Sequence, residues 1–73
     1  MNKSVFSNLA SELEELGIPK SSFSLEHPRN ERTCLIYSEG KWLVYYSERG
    51  DLTDLREFNN FDEAKTNFIG RLI

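Results

Sequence analysis

The sequence predicts a small single α+β domain spanning residues 1–73, with an N-terminal helix, an antiparallel meander of three to four strands and a C-terminal helix. Three observations predict it. Apolar residues recur at helical spacing near both ends. The middle of the chain is rich in β-branched and aromatic residues that suit a pleated surface. Gly-containing turn signals separate those central runs. A length of 73 residues permits one hydrophobic core, because a chain this short buries only about 60–65% of its unfolded surface.

The first helix is expected over residues 4–16, where Val5, Leu9, Leu13 and Leu16 recur at helical spacing and Phe6 widens the stripe. Ser4 suits the N-cap, and Gly17 and Pro19 end the helix. Glu12, Glu14 and Glu15 fall near its C-terminal end, where the macrodipole disfavours anions, which invites a functional reading. Residues 22–25 form a short candidate strand, and a polar loop leads to a stronger strand over residues 33–38. Glu39-Gly40 is a two-residue hairpin turn into a strand over residues 41–47.

That central strand is the most informative segment. Trp42, Val44 and Tyr46 point one way by the two-residue period, and Leu43, Tyr45 and Ser47 point the other, so both faces carry apolar area. Residues 48–51 turn the chain back into a strand over residues 52–58. A helix follows from Phe61, with Asn60 and Glu63 at capping-box spacing and Phe61, Ala64, Phe68 and Leu72 as its stripe, flanked by Ile69. Gly70 within it costs about 1 kcal/mol relative to Ala, by fraying the last turn or in exchange for a close backbone approach.

Composition excludes several functions. A net charge of -3 with scattered Lys and Arg disfavours nucleic-acid binding. No apolar run approaches the roughly 20 residues that span a bilayer, and no basic segment with an apolar stretch reads as a signal peptide, so no membrane association and a cytoplasmic location are expected. Cys34 is the only cysteine, which suits a reducing compartment, and its place in an apolar strand reads as a small buried hydrophobe. With one histidine, His27, no metal-ligand spacing and no phosphate loop, the chain is not expected to be an enzyme or to hold a metal or cofactor.

The residues Asn30-Glu31, Cys34-Leu35, Lys41-Trp42, the run from Val44 to Gly50, then Leu55, Phe58, Glu63-Ala64 and Phe68 together resemble a family of small bacterial immunity proteins encoded beside polymorphic toxins. The resemblance covers residues 22–72 and is most specific from Trp42 to Gly50. It departs from the family pattern at Arg32-Thr33 and at Asp62-Glu63-Ala64, which lacks a following cysteine. Membership would imply a protein that binds a cognate toxin domain, here expected to be a nuclease, and blocks it.

The partner-binding residues expected on this reading are Tyr37, Tyr45, Glu48, Arg49, Asp51 and Asp54. Tyr37 and Tyr45 are expected on the sheet face opposite Trp42, either packed with Leu43 as a half-exposed aromatic cluster or forming the exposed apolar centre of an interface. Glu48, Asp51, Asp54 and Glu57 would form an acidic field at one end of the sheet, steering a basic cleft. Arg49 would hold the turn by pairing with Glu31 or Asp51. The alternative is a structural adaptor or homo-oligomerisation module whose second apolar sheet face buries against a copy of itself, giving a homodimer.

Overall fold

The computed structural model describes residues 2–73, with side chains from residue 4 onward. Helix α1 covers Asn2–Glu15, strand β1 Phe23–Leu25, β2 Arg32–Ser38, β3 Lys41–Glu48, β4 Asp51–Phe58 and helix α2 Phe61–Leu72. The four strands form one sheet in the order β1-β2-β3-β4. This is the expected α+β arrangement of helix, sheet and helix. No helix among the described residues is long and apolar enough to cross a membrane.

Helix α1 begins before Ser4, which lies inside it rather than at its cap. Its end is a Schellman motif: Gly17, at φ +79°, donates its N–H to the Glu14 carbonyl at 3.0 Å, and Ile18 donates to the Leu13 carbonyl at 3.1 Å. Ile18 then packs against the core that contains Leu13. Leu16, counted in the expected stripe, still donates to the Glu12 carbonyl at 3.1 Å but is 53% exposed at the helix end, where the chain turns away at Gly17. The buried stripe is Phe6, Leu9 and Leu13.

Both hairpins turn on two residues with positive φ, the signature of the type I′ turn that matches strand twist. Glu39 and Gly40 have φ +50° and +81°, and Arg49 and Gly50 have φ +50° and +86°. The first sets Tyr37 opposite Trp42 and Ser38 opposite Lys41. The second sets Glu48 opposite Asp51.

β2, β3 and β4 form the expected meander, but β1 joins β2 in parallel, Phe23 beside Thr33 and Leu25 beside Leu35. Three strand residues advance only about 10 Å, so the short loop after Leu25 can run back to the start of β2 without a crossover helix.

Both helices pack on one face. Phe6, Leu9 and Leu13 from α1, Ala64 and Phe68 from α2, and Phe23, Leu35, Trp42 and Val44 from the sheet make a single core cluster. Trp42 lies at its centre, with ring centroids 5.8 Å from Phe6, 5.1 Å from Phe61 and 4.7 Å from Tyr37. Phe58 and Phe61 are partly buried against the cluster. The Asn60 side chain caps α2 by accepting the Glu63 N–H at 2.9 Å, while Asp62 and Glu63 in the first turn and Arg71 in the last complement the dipole. Helix α2 continues through Gly70, where an added Cβ would meet open space, so no close backbone approach accounts for that glycine.

The glutamates at the end of α1 find a partial structural explanation. Glu12 pairs with Lys65 of α2 at 2.9 Å, tying the two helices together across an exposed seam.

Candidate functional site

The face of the sheet away from the helices is the part of the molecule the core does not use. The register places Cys34 opposite Tyr45, Ile36 opposite Leu43, Ser47 opposite Leu52, and Leu43 opposite Glu57, all on this outer face. Leu55, next to Arg56, which pairs with Val44 on the helix face, joins them by alternation. The result is an apolar strip of Ile36, Leu43, Leu55 and Leu52 across three strands. Ile36 and Leu43 are half-buried, and Leu52 and Leu55 are 52% and 43% exposed.

At one end this face is roofed by the loop between β1 and β2. The Asn30 side-chain oxygen accepts the Gly50 N–H at 3.2 Å and the Ser47 hydroxyl at 3.3 Å, and the Glu31 N–H donates to the Ser47 carbonyl, so the loop is fastened to the β3–β4 turn. Ser24 donates its hydroxyl to the His27 carbonyl and fixes the start of the same loop. Beneath it Cys34 is fully buried, its thiol 3.6 Å from the Arg29 carbonyl and 3.5 Å from that of Arg32. Pro28, Asn30, Tyr45, Ser47 and Leu52 border a shallow hollow of about 370 Å³ where the roof ends.

Tyr45 is therefore not the exposed anchor expected of it, being 2% exposed under this loop. Burial pushes its phenol above the ordinary value, and the adjacent Cys34 thiol raises it further. Tyr37 is exposed, but it does not share a face with Tyr45. As the cross-strand partner of Trp42 it lies on the helix side, with its ring against the indole. Directly opposed residues of an antiparallel ladder lie on one face, and the two-residue turn at Glu39-Gly40 makes Tyr37 the partner of Trp42.

The charged residues are only partly brought together. Glu48, Arg49 and Asp51 share the exposed β3–β4 turn. Among the described residues Arg49 makes no ion pair with Glu31 or Asp51; its backbone, at φ +50°, serves the turn instead. Asp54 lies further along β4, at a bulge where Asp54 and Leu55 together oppose Tyr45, and its φ of +58° is the left-handed conformation such a bulge takes. Glu57 lies near the opposite end of that strand. The acids are therefore spread from the β3–β4 turn along β4, with Glu57 on the outer face and Glu48 and Asp51 at register positions of the helix side, rather than clustering at one end of the sheet.

Arg71 of α2 modifies that acidic edge. Its Nη2 donates to the Asp54 carbonyl at 2.7 Å and its Nε to the Asn67 side chain at 2.9 Å. Burial lowers the guanidinium below its ordinary value, the Asp54 carboxylate opposes that shift, and Arg56 adds to it. Asp54 thus has the Arg71 guanidinium beside it, whereas Glu48, Asp51 and Glu57 are exposed.

Leu52 and Leu55 are the surface residues that the sequence reading left out. Their signal was alternation in β4, obscured by the bulge. Among the described residues no three His, Cys, Asp or Glu side chains come close enough to hold a metal ion. No protein family, no curated protein and no solved structure matches the chain.

Proposed function

We propose that this chain is an inhibitory binding protein that engages a basic toxin domain through the outer face of its sheet, in the manner of the immunity proteins its sequence resembles. One observation carries the reading: an apolar strip of Ile36, Leu43, Leu55 and Leu52 is left open by both helices, with Glu57 on the same face and the exposed turn of Glu48 and Asp51 at one end of it. Apolar area at the centre supplies affinity once water is expelled, and these acids favour a partner of opposite charge. The cleft of a nuclease has that charge, since it must attract phosphates.

The partner is sought in the gene next to the one encoding this chain. Co-expression of the two products should yield a complex that survives purification, and the chain should protect cells from that product. If the neighbouring product neither co-purifies with the chain nor is blocked by it, the proposal is wrong. The same open face also fits a second copy of this chain. A molar mass twice that of the monomer in light scattering, lost on Leu55→Asp, would assign the face to a homodimer instead.

A further inference from the structure

A second hollow lies at the opposite edge of the sheet from β4, between the end of α1 and strand β1, with a volume of about 450 Å³. That volume is typical of small-molecule sites, which run from about 300 to 1,000 Å³. Ile18, Phe23 and Leu25 give it an apolar floor, whereas Lys20, Arg29 and Arg32 bring three cations to its rim. Glu14 is the single carboxylate in the lining.

Three cations around one hollow stand out in a chain whose net charge is -3. Among the described residues none of the three forms an ion pair, with Glu14 or with any other carboxylate. Arg32 is nevertheless held in place. Its Nη1 donates to the carbonyls of Lys20 at 3.3 Å and Phe23 at 3.5 Å, which sets the planar guanidinium at the mouth of the hollow with its remaining N–H groups free of protein acceptors among the described residues. A guanidinium fixed in this way offers paired donors to a carboxylate or phosphate.

The geometry points to a binding site for an amphipathic organic anion, a carboxylate or phosphate head on an apolar body, with the head at Arg32, Lys20 and Arg29 and the body on Ile18, Phe23 and Leu25. The cations alone would attract any anion, and the floor alone would attract any apolar solute. Only a ligand carrying both uses the whole hollow. This site is separate from the proposed partner face and holds or fails independently of it.

Amide chemical shifts of the isotope-labelled chain provide the test, with decanoate, decyl phosphate, decanol and inorganic phosphate each titrated below any micelle threshold. Saturable shifts centred on Ile18, Lys20, Phe23 and Leu25 are expected for decanoate or decyl phosphate, and the stronger of the two identifies the head group. Decanol and inorganic phosphate should bind at least about ten-fold more weakly, since each lacks half of the contacts. Lys20→Gln, an exposed substitution, and Arg32→Gln should each weaken the better ligand by about ten-fold while the other amide shifts stay native. Equal binding of decanol and decanoate, affinity unchanged in both folded variants, or no saturable shift at these amides with either anion would overturn the assignment.

Discussion

Arg71, in the last turn of α2, donates to the backbone carbonyl of Asp54 at 2.7 Å and so fastens the C-terminal helix to the bulge of the edge strand. β4 is an eight-residue strand with its outer edge unpaired, an arrangement that invites edge-to-edge association. The bulge interrupts that edge, and Arg71 occupies one of its carbonyls. Replacing Arg71 by Ala should cost about 1–2 kcal/mol, the value of a charged hydrogen bond at a partly exposed site. Amide exchange at residues 53–56 should quicken, with a rise in concentration-dependent association. Native exchange rates in R71A would show that the bulge holds without this bond.

The Trp42 indole touches three other aromatic rings and is 8% exposed. Truncating it to Ala should cost about 3–5 kcal/mol, comparable to the whole stability of a domain of this size. Urea denaturation should show W42A largely unfolded without denaturant. A midpoint within a few tenths molar of wild type would contradict the central position of this ring.

Gly70 stands in a helix with open space where a side chain would project. Gly70→Ala should therefore stabilise the chain by about 0.5–1 kcal/mol, through a less flexible unfolded state and a better helix former. A lowered thermal midpoint would show that the flexibility of this turn is needed by the fold.

These elements differ in how clearly the sequence announces them. Glu39-Gly40 and Arg49-Gly50 each put a glycine at the second turn position between strands of apolar alternation, so both hairpins and the position of Trp42 could be read directly. Asn60 and Gly17 marked helix ends in the same local way. The direction of β1 had no local signal, because a three-residue strand can pair either way and the choice rests on contacts with β2. The burial of Tyr45 depends on Asn30 reaching Ser47 and Gly50, far away in the chain. The bulge was hidden because Asp54, not a glycine, takes the left-handed conformation. Its extra residue shifts the alternation that would have exposed Leu52 and Leu55 as surface residues. The candidate site was therefore legible as a face of the sheet and as the Glu48–Asp51 turn, but its aromatic anchors were not.

Tyr45 links burial to pH. Its phenol is raised above the ordinary value of 10.0, so the folded chain keeps that proton when the unfolded chain has begun to lose it. The associated stability is fully present below pH 10.0 and falls as pH rises past that value towards the folded-state pKa. Urea midpoints measured on either side of this window should decline more in wild type than in Tyr45→Phe, which cannot ionise. Parallel declines in the two proteins would mean that the phenol is open to solvent in the folded state.

The proposed partner face separates affinity from steering. Leu52 and Leu55 are exposed on β4 and outside the core, so Leu52→Ala and Leu55→Ala should leave the fold intact while raising the off-rate of the proposed toxin complex, at a cost of about 1–3 kcal/mol each. Glu48→Lys and Asp51→Lys at the exposed turn should instead lower the on-rate and flatten its dependence on salt. Tyr37 lies on the other face of the sheet, and Tyr37→Ser should leave both rates unchanged. Surface plasmon resonance at two ionic strengths distinguishes these effects. Native off-rates in the leucine variants, together with a loss of binding in Tyr37→Ser, would move the interface to the helix side of the sheet.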